Sequence, residues 1–465
     1  MAQAQNLSRH IGTMTPLPSW VMEGSIIGIV NGQDYVWEKY NKMKELGLPM
    51  VGIWMQDWVG EHQFPEGVRL LWNWQLNLDW YPEWDQMVDS WAQDGCRPFI
   101  YINPYVADLT SFDVNLRQNQ FQIGQENNYF VKNQQGEDYL IQSISIEFAM
   151  VDFTNPDARA WWKSIIIENL VNEGRGAGWM HDFGEYLPFD AVLSSGIDPM
   201  EYHNQYAEDW AAVVHEALQT VNGGEDIVYF MRAATARSPK NTRLFWMGDQ
   251  NTSYDAYDGM QSAMVDLLNS GLSGFGIGHS DIGGYTVVDE PLVQKVTRSK
   301  ELLWRWIEMS TFSDMVMRSH PSSSPDKSFQ IWDDDETILH MKKFTEIHMA
   351  LADFKMFLMD QHFSLGSPIT RPLMLNFPEN QAVRSVHNQF MLGENVLMAP
   401  AFADGVATLS VILPGPTTWT HMWDNTTYDV TGDSLTVQVD AGLGRPAVFY
   451  RDTASYTIST VLSQF

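Results

Sequence analysis

Eight short apolar, β-prone runs recur along this chain, at 26–30, 50–56, 97–103, 178–182, 226–232, 243–249, 274–281 and 314–320, and most close on a polar or charged residue. Helix-like amphipathic stretches separate several of them, at 35–46, 82–94, 158–172, 200–218 and 259–268. Strands that are apolar throughout, rather than alternating, are buried on both faces, and their alternation with helices calls for parallel pairing. Eight such repeats predict an α/β fold, a (β/α)8 TIM barrel, with its chemistry on the rim formed by the C-terminal strand ends. A doubly wound open sheet fits the same alternation, but no GxGxxG or GxxxxGKS/T motif points to nucleotide binding.

The residues at or just after the run ends are Asn31, Gln56 with Asp57, Asn103, Asp182, Arg232, Asp249, His279 with Asp281, and Arg318 with His320. Such a ring holds groups that bind sugar hydroxyls and move protons. The connection 105–177 is too long for one barrel helix and predicts an insertion over the rim. A helical stretch is expected at 336–358, and short β-like runs at 391–400, 407–414, 427–439 and 446–450 are broken by Gly, Pro, Asn and Asp. The expected organisation is an N-terminal tail (1–16), a catalytic barrel (17–375) with its insertion around 105–177, and a C-terminal β-sandwich (376–465).

Composition narrows the partners. With 28 basic and 58 acidic residues the formal charge is −30, which argues against nucleic acid or an anionic membrane surface as partner. No run of about 18 apolar residues predicts membrane insertion. Residues 1–16 lack the apolar core of a secretory signal, and the one cysteine, Cys96, excludes an internal disulfide, so the cytoplasm is the expected compartment. The oligomeric state, a homo-oligomer included, stays open. His279 and His320 lack HExxH or CxxC company, which argues against a metal site.

Breaking a glycosidic bond takes two carboxyl groups in opposite states, one ionised and one protonated. Asp182 and Asp249 end the fourth and sixth runs and form the natural pair. An aspartate after a strand is more often a helix cap; the pairing on a predicted rim is what favours chemistry. Glu185 follows Asp182 through Gly184 and is expected to supply a supporting charge. Trp246, just before Asp249, is expected among the sugar-binding residues and offers an aromatic surface that would favour the acid role. Arg232 is expected either to be an ion-pair partner in the core or, as its position favours, to hold Asp182 ionised, while Asp57 and Asp281 fit sugar binding and structural hydrogen bonding equally well. Of the tryptophans, Trp54, Trp58, Trp72, Trp74, Trp179 and Trp246 are expected mostly in the core, with a minority free to stack on a pyranose ring.

The segments Trp179-Met180-His181-Asp182-Phe183-Gly184-Glu185, Trp246-Met247-Gly248-Asp249, His279-Ser280-Asp281-Ile282-Gly283-Gly284 and Met317-Arg318-Ser319-His320 together resemble glycoside hydrolase family 31, the α-glucosidase family, from about Pro16 to Tyr450. The resemblance implies a retaining α-glycosidase without a cofactor, with Asp182 as nucleophile, Asp249 as general acid/base, and Arg232 and His320 contacting the sugar. Within the family the chain is most similar to the sulfoquinovosidases, which cleave α-glycosides of 6-deoxy-6-sulfoglucose. Their sulfonate-binding set carries over to Arg69, Trp72 and Tyr285, with Gln56 as one of two companion glutamines. The other companion falls on Val30 or Asn31; Asn31 would keep an amide there.

A sulfonate is a permanent anion with three acceptor oxygens, matched by a guanidinium, an indole N–H and a phenol. The structural alternative for Arg69 is a surface pair with Glu66 or Asp79. An anionic sulfosugar glycoside is therefore the expected substrate, an α-glucoside or α-xyloside the first alternative. Relatives carry an N-terminal β-sandwich before the barrel, whereas this chain begins almost at the barrel. A dispensable domain or a fragment are the two expectations, and an inactive carbohydrate-binding relative is the alternative of another class.

Overall fold

A computed structural model describes residues 1–64, 67–143, 146–290 and 294–465. It divides into two compact units, one of Gly28–Tyr40 and Gly52–Leu244, the other of Met1–Ile27, Asn41–Val51 and Phe245–Phe465. Seven of the eight runs contain strands, which we number β1 (Ser25–Gly28), β2 (Met50–Trp54), β3 (Arg97–Ile102), β4 (Gly178–His181), β5 (Val228–Met231), β6 (Leu244–Trp246) and β7 (Gly278–His279).

In the unit centred on Gly52–Leu244, β2, β3, β4 and β5 pair in parallel, with Gly52 opposite Arg97, Phe99 opposite Gly178, and Met231 opposite His181. β2, β4 and β5 are buried along their whole length, as continuous apolar runs require. Gly52 and Gly178 are dictated by packing: a side chain at either would drive into the Phe99 ring on the strand between them. The helices that cross over include Gly32–Glu45, Trp84–Gln93 and Pro199–Leu218, the last capped by Asp198 accepting from Met200 N. The helix expected at 158–172 is α-helical only over Pro156–Ile165 and widens into π-helical turns over Ile166–Glu173, closed by Gly174 N donating to Asn169 O.

The insertion folds as a three-stranded antiparallel sheet with Ile146–Met150 between Tyr105–Ala107 and Leu140–Ser143. Phe64 and Leu71 pack with Ala107, Leu109 and Ile146, with Trp72 against them. That cluster fixes the hairpin Glu61–Phe64/Gly67–Leu70, the carrier of Arg69, on the insertion.

In the other unit β6 pairs in parallel with β7, at Phe245 opposite Gly278 and Trp246 opposite His279. The run 314–320 does not form the strand expected of it; it makes single parallel bridges, Arg318 with Ile26 and Ser319 with Ile282. The helix Lys300–Ser313 leaves no amphipathic period in the sequence because it is buried nearly all round, Arg305 and Glu308 included. The single stretch expected at 336–358 is two helices, Asp335–Ala350 and Ala352–Leu365, broken at Leu351, and the expected tail contains a helix, Ala2–Ile11.

The C-terminal region is antiparallel β. A six-stranded sheet runs in the order Thr370–Arg371, Phe390–Leu392, Val396–Ala399, Ala447–Tyr450, Thr417–His421, Thr427–Val430, and a two-stranded sheet pairs Thr408–Pro414 with Ser434–Asp440. Leu373, Val411, Leu413, Trp419 and Phe449 form the core they share. Arg305 reaches from its helix to Ala441 O and Val406 O, at 2.7 and 2.6 Å. No helix among the described residues is long and apolar enough to cross a membrane.

Candidate active site

Asp182 directly follows β4, and its amide still donates to Ile102 O of β3 at 2.9 Å, so its backbone belongs to the sheet. The residue is 6% exposed. Its Oδ2 accepts from the Tyr101 hydroxyl at 2.6 Å, and its Oδ1 accepts from Phe183 N at 2.8 Å and faces Arg232 Nε at 3.3 Å. The Tyr101 oxygen in turn accepts from Asn103 Nδ2 at 3.0 Å. Burial and the charge of Asp182 hold the Tyr101 phenol far above its ordinary range, so it stays a donor. Below this group His181 stacks on Trp210 at 3.4 Å, and burial pushes its imidazole down to about 3.

After Asp182 the chain reverses through Phe183 (φ 59°) and Gly184 (φ 115°). A left-handed phenylalanine costs about 1–2 kcal/mol. The turn sets the Phe183 ring 4.3 Å from the Arg232 guanidinium and brings Glu185 beside it. Arg232 was expected to serve Asp182, yet its shorter contacts, 2.9 Å from Nε and 2.8 Å from Nη2, go to Glu185 Oε1. Burial raises the Glu185 carboxyl and the charge of Arg232 opposes that rise. Among the described residues, Glu185 Oε2, the Tyr105 hydroxyl and Trp72 Nε1 are buried without a hydrogen-bond partner.

Trp72 lies among aromatic rings, 6.5 Å from Trp74, 5.8 Å from Tyr105 and 6.0 Å from Phe183. Arg69 sits on the hairpin opposite His62, partly exposed, with Nη1 donating to Val68 O at 2.8 Å. Its alternative partner Glu66 lies outside the described residues. Gln56 opens a short helical turn, Gln56–Val59, and is partly exposed. Asn31 is exposed at φ 93°, and its amide donates to Asp57 Oδ2 at 2.9 Å. Asp57 has a structural part: fully buried, it accepts from Asn31 N, Gly32 N, Trp80 Nε1 and the Tyr81 hydroxyl.

In the other unit Asp249 is three residues beyond the end of β6, after Gly248 at φ 85°, so a loop carries it rather than a strand end. Its side chain is exposed and its carbonyl accepts from Thr286 Oγ1 at 2.9 Å. Trp246, expected beside the sugar, is 1% exposed; pairing with His279 leaves its ring inside the packed interior with no open face. Trp54, Trp58, Trp74 and Trp179 are equally enclosed, and Trp72 alone of the six keeps exposed surface.

Arg318 is fully buried; Nε donates to His279 Nε2 at 2.9 Å and Nη2 pairs with Asp281. Burial pushes its guanidinium down to about 9, against the charge of Asp249, which places Asp249 within its electrostatic reach. Asp281 therefore serves the fold as an ion-pair partner. His320 Nδ1 accepts from Ser322 N at 2.9 Å, and burial with Arg318 and Arg298 keeps the ring neutral, so its proton is on Nε2. Tyr285 stands edge-on to His320 at 4.7 Å, and its amide donates to Gln250 O at 2.8 Å, tying it to the Asp249 loop. Among the described residues no group of three or more His, Cys, Asp or Glu could hold a metal ion.

Tyr101, Tyr105 and Arg298 were not singled out from sequence. Tyr101 is hidden inside an apolar strand, and the one available signal is its i, i+2 relation to Asn103, which puts both on one face.

Comparison with known proteins gives the family. Residues 14–356 match the glycosyl hydrolases family 31 TIM-barrel domain, and residues 366–454 the glycosyl hydrolase family 31 C-terminal domain, which agrees with the expected barrel and C-terminal β domain. The chain is 36% identical to a sulfoquinovosidase of Escherichia coli over 96% of its length and 63% of that protein's. It is also 36% identical to a sulfoquinovosidase of Agrobacterium fabrum, over 97% of this chain and 65% of the relative. It thus spans just under two thirds of these relatives. A solved family 31 sulfoquinovosidase from E. rectale, in complex with an aza-sugar inhibitor, superposes with a TM-score of 0.91 at 32% identity, covering 100% of this chain and 66% of that one. With both domain matches in order along the chain and relatives of this similarity, the protein belongs to glycosyl hydrolase family 31.

Proposed function

We propose that this chain acts as a retaining α-glycosidase on α-sulfoquinovosides, glycerol-linked or derived from sulfolipid, and releases sulfoquinovose. The observation that carries the chemistry is the setting of Asp182: a carboxylate at a strand end, solvated by Tyr101, the Phe183 amide and Arg232, with Oδ2 holding one donor and a lone pair to spare. The substrate class comes from the named activity of the relatives.

In the first step a lone pair on Asp182 bonds to the anomeric carbon as the bond to the aglycone breaks, and Asp249 gives its proton to the departing oxygen. In the second, Asp249 takes a proton from water, the water oxygen bonds to the anomeric carbon, and the electrons return to Asp182. Arg69, Trp72 and Tyr285 supply donors to the sulfonate, with Gln56 and Asn31 as companions; Arg232, His320 and Glu185 support the sugar and the nucleophile. A sulfonate accepts from every side and donates nothing, so the unpaired indole N–H of Trp72 suits it. Trp246 acts from the interior, as a wall for the Asp249 loop.

Hydrolysis of a nitrophenyl α-sulfoquinovoside against the matching α-glucoside, with NMR of the first sugar released, tests this. Preference for the sulfosugar with retained configuration is expected. Preference for the neutral sugar would remove the sulfonate assignment, and sugar binding without turnover, unchanged in Asp182→Asn, would make the chain a binding protein.

A further inference from the structure

Arg232 is shared unequally between two carboxylates. Two of its nitrogens reach Glu185 Oε1, at 2.9 and 2.8 Å, whereas its nearest approach to Asp182 is 3.3 Å, from Nε to Oδ1. The Phe183 ring under the guanidinium and the left-handed turn 183–184 hold that arrangement in place. Glu185 Oε2 has no hydrogen-bond partner among the described residues, so its hold on Arg232 is not diluted by a second donor. The groups facing Asp182 are Tyr101 from β3, Arg232 from beyond β5, and Glu185 and the Phe183 amide from its own turn; Tyr105, from the insertion, lies within reach of both carboxylates.

We propose that Glu185 is a positioning residue for the double displacement: it draws Arg232 back from Asp182 and so leaves a lone pair of the nucleophile available for attack. The proposal rests on Asp182 being the nucleophile. Each full charge-assisted bond to that carboxylate stabilises it as a free ion. A closer Arg232 would therefore slow the step in which an Asp182 lone pair forms the bond to the anomeric carbon, and hasten the step in which that electron pair returns to the carboxylate.

Glu185→Gln keeps the shape and one acceptor but removes the charge. The acid limb of the kcat/KM profile for a nitrophenyl α-sulfoquinovoside is expected to move down by about one pH unit. Formation of the glycosyl-enzyme is expected to slow about tenfold, so that any pre-steady-state burst of nitrophenol shrinks. Glu185→Asp, which retracts the carboxylate by about 1.5 Å without loss of charge, is expected to move the limb the same way by less, and it carries the test if the Gln variant does not fold. A merely structural part for Glu185 would lower activity with the limb unmoved in whichever variant folds, and that result overturns the proposal. A wild-type chain that turns over no α-glycoside would instead overturn the nucleophile reading, and the proposal with it.

Discussion

The Tyr101 hydroxyl donates to Oδ2 of Asp182 at 2.6 Å, from the strand next to the one that Asp182 ends. Because both groups are fixed by one ladder, the bond needs no loop to close. In the proposed double displacement it would act on the step opposite to the one assigned to Glu185, for it would stabilise the carboxylate that departs when the glycosyl-enzyme is hydrolysed. Tyr101→Phe removes a hydrogen bond to a charged group, about 1.5–3 kcal/mol. We expect deglycosylation to slow at least tenfold, with kcat and KM falling together. Rapid-quench mass spectrometry should then find more enzyme carrying sugar at steady state; an unchanged occupancy would refute the expectation.

Asp249 stands on an exposed loop, and the proposed mechanism gives it two tasks, protonating the aglycone and activating water. Asp249→Ala should lose about 10²–10⁴-fold on substrates with poor leaving groups, and much less in the first step with nitrophenolate, which leaves unaided. Added azide, which needs no base, should restore turnover and give the α-glycosyl azide, identified by NMR. Failure of azide to accelerate the variant would move the acid/base role elsewhere.

Arg69 now bonds only its own strand's carbonyl at Val68, among the described residues, and is partly exposed. Arg69→Met should cost about 2–3 kcal/mol in kcat/KM toward the sulfosugar, or about 30–150-fold, with little change toward the glucoside. Arg69→Lys should recover part of this, since a lysine cannot form the planar fork. Equal losses on both sugars would mean that Arg69 supports the hairpin and not the anion.

Glu61, at the head of the same hairpin, is pushed up to about 8 by burial and by the charge of Asp57. Its ordinary value is 4.5. The folded chain therefore keeps a proton that the unfolded chain releases above that value, and stability falls as pH rises from about 4.5 to about 8. Glu61→Gln removes this penalty. Thermal melts should show the variant more stable than the wild type at pH 8, by about 2 °C or more, and equal to it near pH 4. A difference that does not change with pH would point to packing instead.

Much of the fold is legible because parallel strands buried on both faces leave continuous apolar runs, and β2, β4 and β5 sit inside theirs. The same burial conceals other elements. The helix Lys300–Ser313 has no polar stripe to betray its period, and Tyr101 reads as one more apolar strand residue. Asp57 and Asp281 looked alike from sequence, both polar and both after a strand. Only their partners separate them from Asp182: four donors that pin Asp57 to the 31–32 loop and the 80–81 segment, and the Arg318 guanidinium that holds Asp281. The preference of Arg232 for Glu185 depends on the backbone angles at Phe183, which no residue pattern discloses.

Arg305, buried in the helix Lys300–Ser313, finds its acceptors in the carbonyls of Ala441 and Val406, while Glu308 on the same helix accepts from Gly444 N at 2.6 Å. If the C-terminal sheets melted alone, the guanidinium would keep Glu301 and Glu308 but lose both carbonyls, and the carboxylate would lose the Gly444 amide, a penalty added to that of the lost apolar contacts. Sheets and helix in this unit are thus tied by hydrogen bonds to buried charged groups as well as by apolar packing, and a cut made between them removes two acceptors and a donor that those charges use.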